Sequence, residues 1–162
     1  MFRLIAQVPI FNSHAPLDGP PDSFGGSGLG TILHRSLNVI KSVYSFAVQG
    51  GAIGALSLLD DLGNSAILPP NAIIIRSFSN WTTAVTSGGS ATIALGSGAA
   101  ANDLKAATAI SSYTGLLEGI PTGTTAAAIA LGTTALGYQT SLTIATAALT
   151  AGVGSVYVWY VL

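Results

Sequence analysis

Apolar and polar positions alternate with a period of two along much of this chain, the spacing of a β-strand with one face turned inward. The richest stretch is LPPNAIIIRSFSNWTTAVTSGGSATIAL, residues 68–95. Two β-prone runs, 72–85 and 90–95, flank Ser87-Gly88-Gly89, and the pattern predicts a long hairpin with a Gly-Gly turn at the centre of the domain. Pro69-Pro70 cannot donate ladder hydrogen bonds and so sets where the first strand begins. Ala91, Ile93 and Leu95 fall on one face of the second run, Thr92 and Ala94 on the other. Ile73-Ile74-Ile75 is apolar on both faces, as is the run SVYVWYVL at 155–162, with Val156, Val158, Tyr160 and Leu162 on one side and Tyr157, Trp159 and Val161 on the other. Such strands are central to a sheet or lie at a contact between subunits.

The rest of the chain is read around this unit. Residues 1–11 alternate, with Phe2, Leu4, Ala6, Val8 and Ile10 on one side, and 12–30 are rich in Pro, Gly, Asp and Ser. Residues 1–40 form an N-terminal arm, either ordered against a neighbour or packed as a loop on its own domain. Residues 32–41 fit an edge strand or a helical turn equally. Strands are expected at 43–48 and 52–59, separated by Gly50-Gly51 and followed by turn chemistry at 60–64. Residues 101–108 are the best helical candidate, with Asn102 or Asp103 as cap. Residues 113–121 form a connection, and further strands fall at 126–131, 139–149 and 155–162. The fold expected is all-β, a β-sandwich or jelly roll over 41–162 with an extended N-terminal arm.

Composition sharpens this picture. Only 7% of the 162 residues are charged, against about 25% in a typical soluble domain, and many apolar residues are Ala. A surface so poor in charge does little to keep copies apart, so assembly is expected. The five basic residues, Arg3, Arg35, Lys41, Arg76 and Lys105, are scattered, and no basic face exists for nucleic acid. No cysteine means no disulfide and no thiolate chemistry. Thr and Gly interrupt the uncharged stretch after Glu118 every few positions, so no membrane partner is expected. Gln7 and Pro9 likewise cut the N-terminal apolar run too short for a signal peptide.

Candidate chemistry is sparse. Asp60 and Asp61 are adjacent and suit a turn better than an acid/base pair. His14 and His34 lack partners at metal-ligand spacing. Gly25-Gly26-Ser27-Gly28-Leu29-Gly30-Thr31 lacks the Lys of a phosphate loop, and Asn80-Trp81-Thr82 lies inside an expected strand. The chain is therefore read as a non-enzyme with no catalytic residues, cofactor or metal.

The run TTAVTSGGSATIALGSGAAANDLKAATA and the ending ALTAGVGSVYVWYVL, with Gly50-Gly51 and LPPNAII, resemble capsid decoration (cement) proteins of tailed bacteriophages over about residues 40–162. The resemblance implies a homotrimer on the outer capsid surface of the virion. There it binds major capsid protein and stabilises the shell by clamping adjacent subunits. The alternative is a head-fibre or tail-associated virion protein that binds host surface glycan. Apolar anchors Phe2, Leu4, Val8, Ile10, Phe11 and Phe24 are expected to contact the capsid. Ile73, Ile75, Tyr157, Trp159 and Val161 are expected at the contact between copies, because a two-layer sandwich buries only one face of each strand.

Overall fold

The computed structural model describes residues 37–119 and 129–162; the capsid-contact candidates Phe2 to Phe24, the two histidines and Pro121 lie outside them. Eleven strands follow in order: β1 (Asn38–Ser45), β2 (Gly54–Ser57), β3 (Ile67–Leu68), β4 (Ile73–Ser87), β5 (Thr92–Gly96), β6 (Lys105–Ala109), β7 (Gly115–Glu118), β8 (Ile129–Ala130), β9 (Tyr138–Gln139), β10 (Ser141–Ala145) and β11 (Leu149–Val161). One helical turn, α1 (Phe46–Gln49), follows β1. The larger sheet runs β1-β11-β4-β7, with β8 also on β4. The second runs β2-β10-β5-β6, and β3-β9 form a small ribbon. The architecture is an all-β sandwich, as the alternation predicts.

The core lies between the two sheets. Tyr44, Ile74, Trp81, Val156 and Val158 from the larger sheet meet Ile93, Leu95, Leu142 and Ile144 from the smaller, all buried. Each large aliphatic side chain so buried contributes roughly 1.5–3 kcal/mol. Trp81 is boxed between Tyr44, at a ring-centroid distance of 6.0 Å, and Tyr113, edge-on at 5.2 Å. Its indole N–H donates to Ser79 Oγ at 3.0 Å. Gly154 on β11 makes room for this ring: a Cβ there would stand 2.6 Å from Trp81 Cδ2. The Tyr113 hydroxyl donates to Ile93 O at 2.7 Å. Ser42 and Thr140 share a buried hydroxyl bond of 2.7 Å, so these polar atoms enclosed with the core are paired.

The central hairpin is not one. β4 pairs with β11, β7 and β8, whereas β5 pairs with β10 and β6. Residues 87–91 carry the chain from one sheet to the other. A two-residue hairpin of the favoured type needs positive φ, and neither Gly88 nor Gly89 is among the positive-φ residues. Ser87 instead fastens the corner, accepting from Gly89 N–H at 3.2 Å and donating to Ala148 O at 2.7 Å. The run 155–162 is central, as expected: β11 lies between β1 and β4.

The helix expected at 101–108 is also replaced. Residues 105–109 are β6, and Asp103 caps a loop, its carboxylate accepting from the Ser97 N–H at 2.7 Å and the Ser97 hydroxyl at 2.5 Å. Leu104 is buried beside this loop, and pairing with β5 outweighs the weak helical preference of so short a piece. The strand expected at 43–48 stops at Ser45, and the connection expected at 113–121 contains β7.

Candidate interaction face

The outward side of the larger sheet gathers the aromatic residues that the core does not use. On β11, even-numbered residues from Gly152 to Val158 are buried and the odd ones alternate with them. Tyr157 and Trp159 therefore face outward, opposite Phe78 and Arg76 on β4 and Lys41 and Val39 on β1. Phe78 packs against both rings, 4.9 Å from Tyr157 at an interplanar angle of 26° and 4.8 Å from Trp159 at 34°, and those two rings lie 6.3 Å apart. Aromatic pairs in this distance range contribute about 0.5–1.5 kcal/mol beyond their area.

Ion pairs border the row on both sides. Lys41 Nζ lies 2.8 Å from Asp61 Oδ1, and Arg76 Nη2 lies 3.3 Å from Glu118 Oε1. The hydrogen bond to Asp61 chiefly holds the Lys41 ammonium above the usual lysine range, and the charge of that carboxylate adds to it. Exposed pairs of this kind add little stability; their effect is a polar margin. Apolar Val39 and Leu116 stand exposed at the flanks. An aromatic centre inside a charged rim is the composition of a protein-binding patch.

The five residues expected at a contact between copies fall together here. Val161 pairs with Ile73, next to Trp159 and Tyr157, and Ile75 is the unpaired residue where the β4–β11 register shifts. None of the five belongs to the core cluster or to the side chains packed against it. Sequence reasoning missed Phe78, the third ring, and the rim residues Lys41, Asp61, Arg76 and Glu118. The register shift between Trp159 and Tyr160 hides Phe78: it lets odd-numbered Ile73 and even-numbered Phe78 share one face.

Among the described residues this face holds no nucleophile–base pair, and no group of three or more His, Cys, Asp or Glu is placed to hold a metal ion. No helix among them is long and apolar enough to cross a membrane. Asp60 serves the turn expected of it. Its Oδ1 accepts from the N–H groups of Leu62 and Asn64 at 2.9 and 2.8 Å, and the Asn64 bond holds its carboxyl below the ordinary value.

No family model matches the sequence, and no curated protein does. Among solved structures, a chain of the cyanophage Pam1 capsid asymmetric unit shares the fold, with a TM-score of 0.56 and 18% identity over 96% of this chain and 99% of that one. A chain of the acidic stable capsid structure of Helicobacter pylori bacteriophage KHP30 aligns over 80% of this chain and 90% of its own, with a TM-score of 0.44 and 12% identity.

Proposed function

We propose that this chain is a structural, non-enzymatic component of a bacteriophage virion. It sits on the outer capsid surface as a closed homotrimer and braces adjacent major capsid subunits. The observation that carries the reading is the ring row of Phe78, Tyr157 and Trp159 on a chain otherwise nearly free of charge. The shared fold with a chain of the Pam1 capsid asymmetric unit, over almost the full length of both, supports it. Copies related by closed symmetry cover the ring row without open-ended growth. The N-terminal anchors Phe2, Leu4, Val8, Ile10, Phe11 and Phe24 contact the shell. Many copies at repeated sites then add their modest affinities, which suits a shell under internal pressure.

The glycan reading fits this face less well. Sugar rings dock on flat, open aromatic faces, whereas Phe78, Tyr157 and Trp159 pack on one another with centroids 4.8, 4.9 and 6.3 Å apart and planes tilted by 26–34°. The deciding experiment incubates purified chain with empty, protein-only capsids and locates it by cryo-electron microscopy. Ordered density on the outer surface, bridging neighbouring subunits, is the expected result. Absence from the shell together with binding on a glycan array would overturn the reading in favour of the adhesin.

A further inference from the structure

The edge of the larger sheet is closed along part of β1 and open along the rest. Val43 exchanges both backbone bonds with Leu59, its N–H donating to Leu59 O at 2.6 Å and its carbonyl accepting from Leu59 N–H at 3.4 Å. Gln49 plugs the next position, accepting from Ser45 N–H at 2.7 Å and donating to Val43 O at 3.2 Å. Val43 thus turns its backbone groups away from β11. Lys41 and Val39, two and four residues earlier, turn theirs the same way, because direction repeats every second residue. Among the described residues these amides and carbonyls meet no backbone partner. A groove of about 230 Å³ continues the open edge, lined by Val43, Val48, Leu59, Asp60 and Asp61.

We infer that this edge accepts residues 2–10 of a second copy as an added strand. Phe2, Leu4, Ala6, Val8 and Ile10 alternate as a strand requires. Pro9 fixes which set of backbone groups faces β1. It has no N–H, so residues 3, 5, 7 and 9 must point outward and residues 4, 6 and 8 must bond to Val39 and Lys41. Residues directly opposite one another share a face. The same parity therefore sets Leu4, Ala6 and Val8 on the side of Val39 and Lys41, extending the apolar ground beside Trp159. The only charge in the segment is Arg3, which the same parity sets on the face opposite Leu4, away from the apolar ground beside Trp159. Residues 11–36, at up to about 3.3 Å each, reach about 86 Å when extended, enough to cross to a neighbouring copy. The inference concerns how copies join; it gives residues 2–10 to a neighbouring copy, so that shell contact by the arm falls to Phe11 and Phe24, and it holds or fails independently of the virion reading.

The parity rule gives the test, made on the full chain. Ala6→Pro removes an inward N–H, whereas Gln7→Pro removes an outward one, with similar effects on the segment's stiffness. Hydrogen exchange at the Val39 and Lys41 amides is expected to accelerate at least tenfold in A6P and to stay at the wild-type rate in Q7P. In parallel, full chains carrying Val8→Cys are mixed with chains carrying Val39→Cys or, as a control on another edge strand, Ala107→Cys. The native chain has no cysteine, so a short bis-maleimide reports only these sites. Cross-linking of V8C to V39C between chains, and not to A107C, supports strand addition. Equal exchange in A6P and Q7P, equal cross-linking at V39C and A107C, or no cross-link at V39C would each overturn it.

Discussion

Gly154→Ala tests whether the fold depends on the close approach of β11 to Trp81. The added methyl carbon would lie 2.6 Å from both Cδ2 and Cε3 of the indole, about 1 Å inside ordinary carbon–carbon contact. The ring cannot retreat freely: Tyr44 and Tyr113 flank it, and its N–H is held by Ser79 Oγ at 3.0 Å. Overpacking of this kind costs about 1–3 kcal/mol, and pulling the indole off Ser79 leaves a buried donor worth about 1–3 kcal/mol. A net loss of roughly 2–5 kcal/mol is expected, a large share of a typical domain's 5–15 kcal/mol. Gly88→Ala is the control. Nothing lies within 4 Å of its added methyl and its φ is not positive, so restricting the unfolded chain should stabilise it by about 0.4–1 kcal/mol. Urea unfolding followed by far-ultraviolet circular dichroism, at one protein concentration, measures both. A double-mutant cycle with Trp81→Leu then isolates the contact, since most of the G154A penalty should vanish when the indole is gone. A G154A stability within about 0.5 kcal/mol of wild type, or a penalty undiminished in the Trp81→Leu background, would show that the ring is not what Gly154 accommodates.

Four further outcomes are expected. Trp159→Ala should leave the circular dichroism spectrum intact, because the ring lies outside the core, yet convert the oligomer to monomer at micromolar concentration by light scattering; an unchanged mass contradicts the interface. Capsid occupancy should vary less than about twofold between roughly 50 and 500 mM salt, since apolar burial rather than ion pairing would carry attachment; a steep fall by quantitative gel densitometry of washed particles argues for charge. Deleting residues 1–30 should leave the sandwich folded and reduce occupancy at least tenfold, and full occupancy removes the anchors from the proposal. The Asp60 carboxyl is lowered on folding, so its contribution is complete above its unfolded value and is lost as pH falls through the folded one. Exchange of the Leu62 and Asn64 amides should therefore accelerate only below about pH 4, and acceleration already at about pH 6 assigns the turn's stability to another group.

Strand identity was legible wherever alternation is strict. Ile93 and Leu95 point inward as their spacing implies, and the doubly apolar run at 155–162 is a central strand whose surplus face stays outside the core. Pairing partners were less legible. The sequence around Gly88-Gly89 is that of a hairpin tip, but local turn preference does not reveal that β4 finds β11, far along the chain, instead of β5. Asp103 shows the same limit: an acidic residue before an Ala-rich piece signals a helix start, and the loop at Ser97 that it caps instead is set by tertiary contact. Phe78 was hidden for a different reason. Period-two reading assumes an unbroken strand, and the bulge at Ile75 changes parity midway.

The adjacency of β1 and β11 has a consequence for the chain's biogenesis. Asn38 pairs with Tyr160 and Ser45 with Val153, so the first described strand waits for the last before it has a partner in its sheet. Closing so long a loop is slow compared with local pairing, and synthesis proceeds at about 5–20 residues per second. A nascent chain therefore spends seconds with β1 and β4 made and β11 missing. Tyr157 and Trp159 arrive only with that final strand. A prematurely ended copy lacks two of the three stacked rings as well as the strand that joins β1 to β4. A copy that stops before β11 therefore has neither a joined larger sheet nor the ring pair of Tyr157 and Trp159 on its outward face.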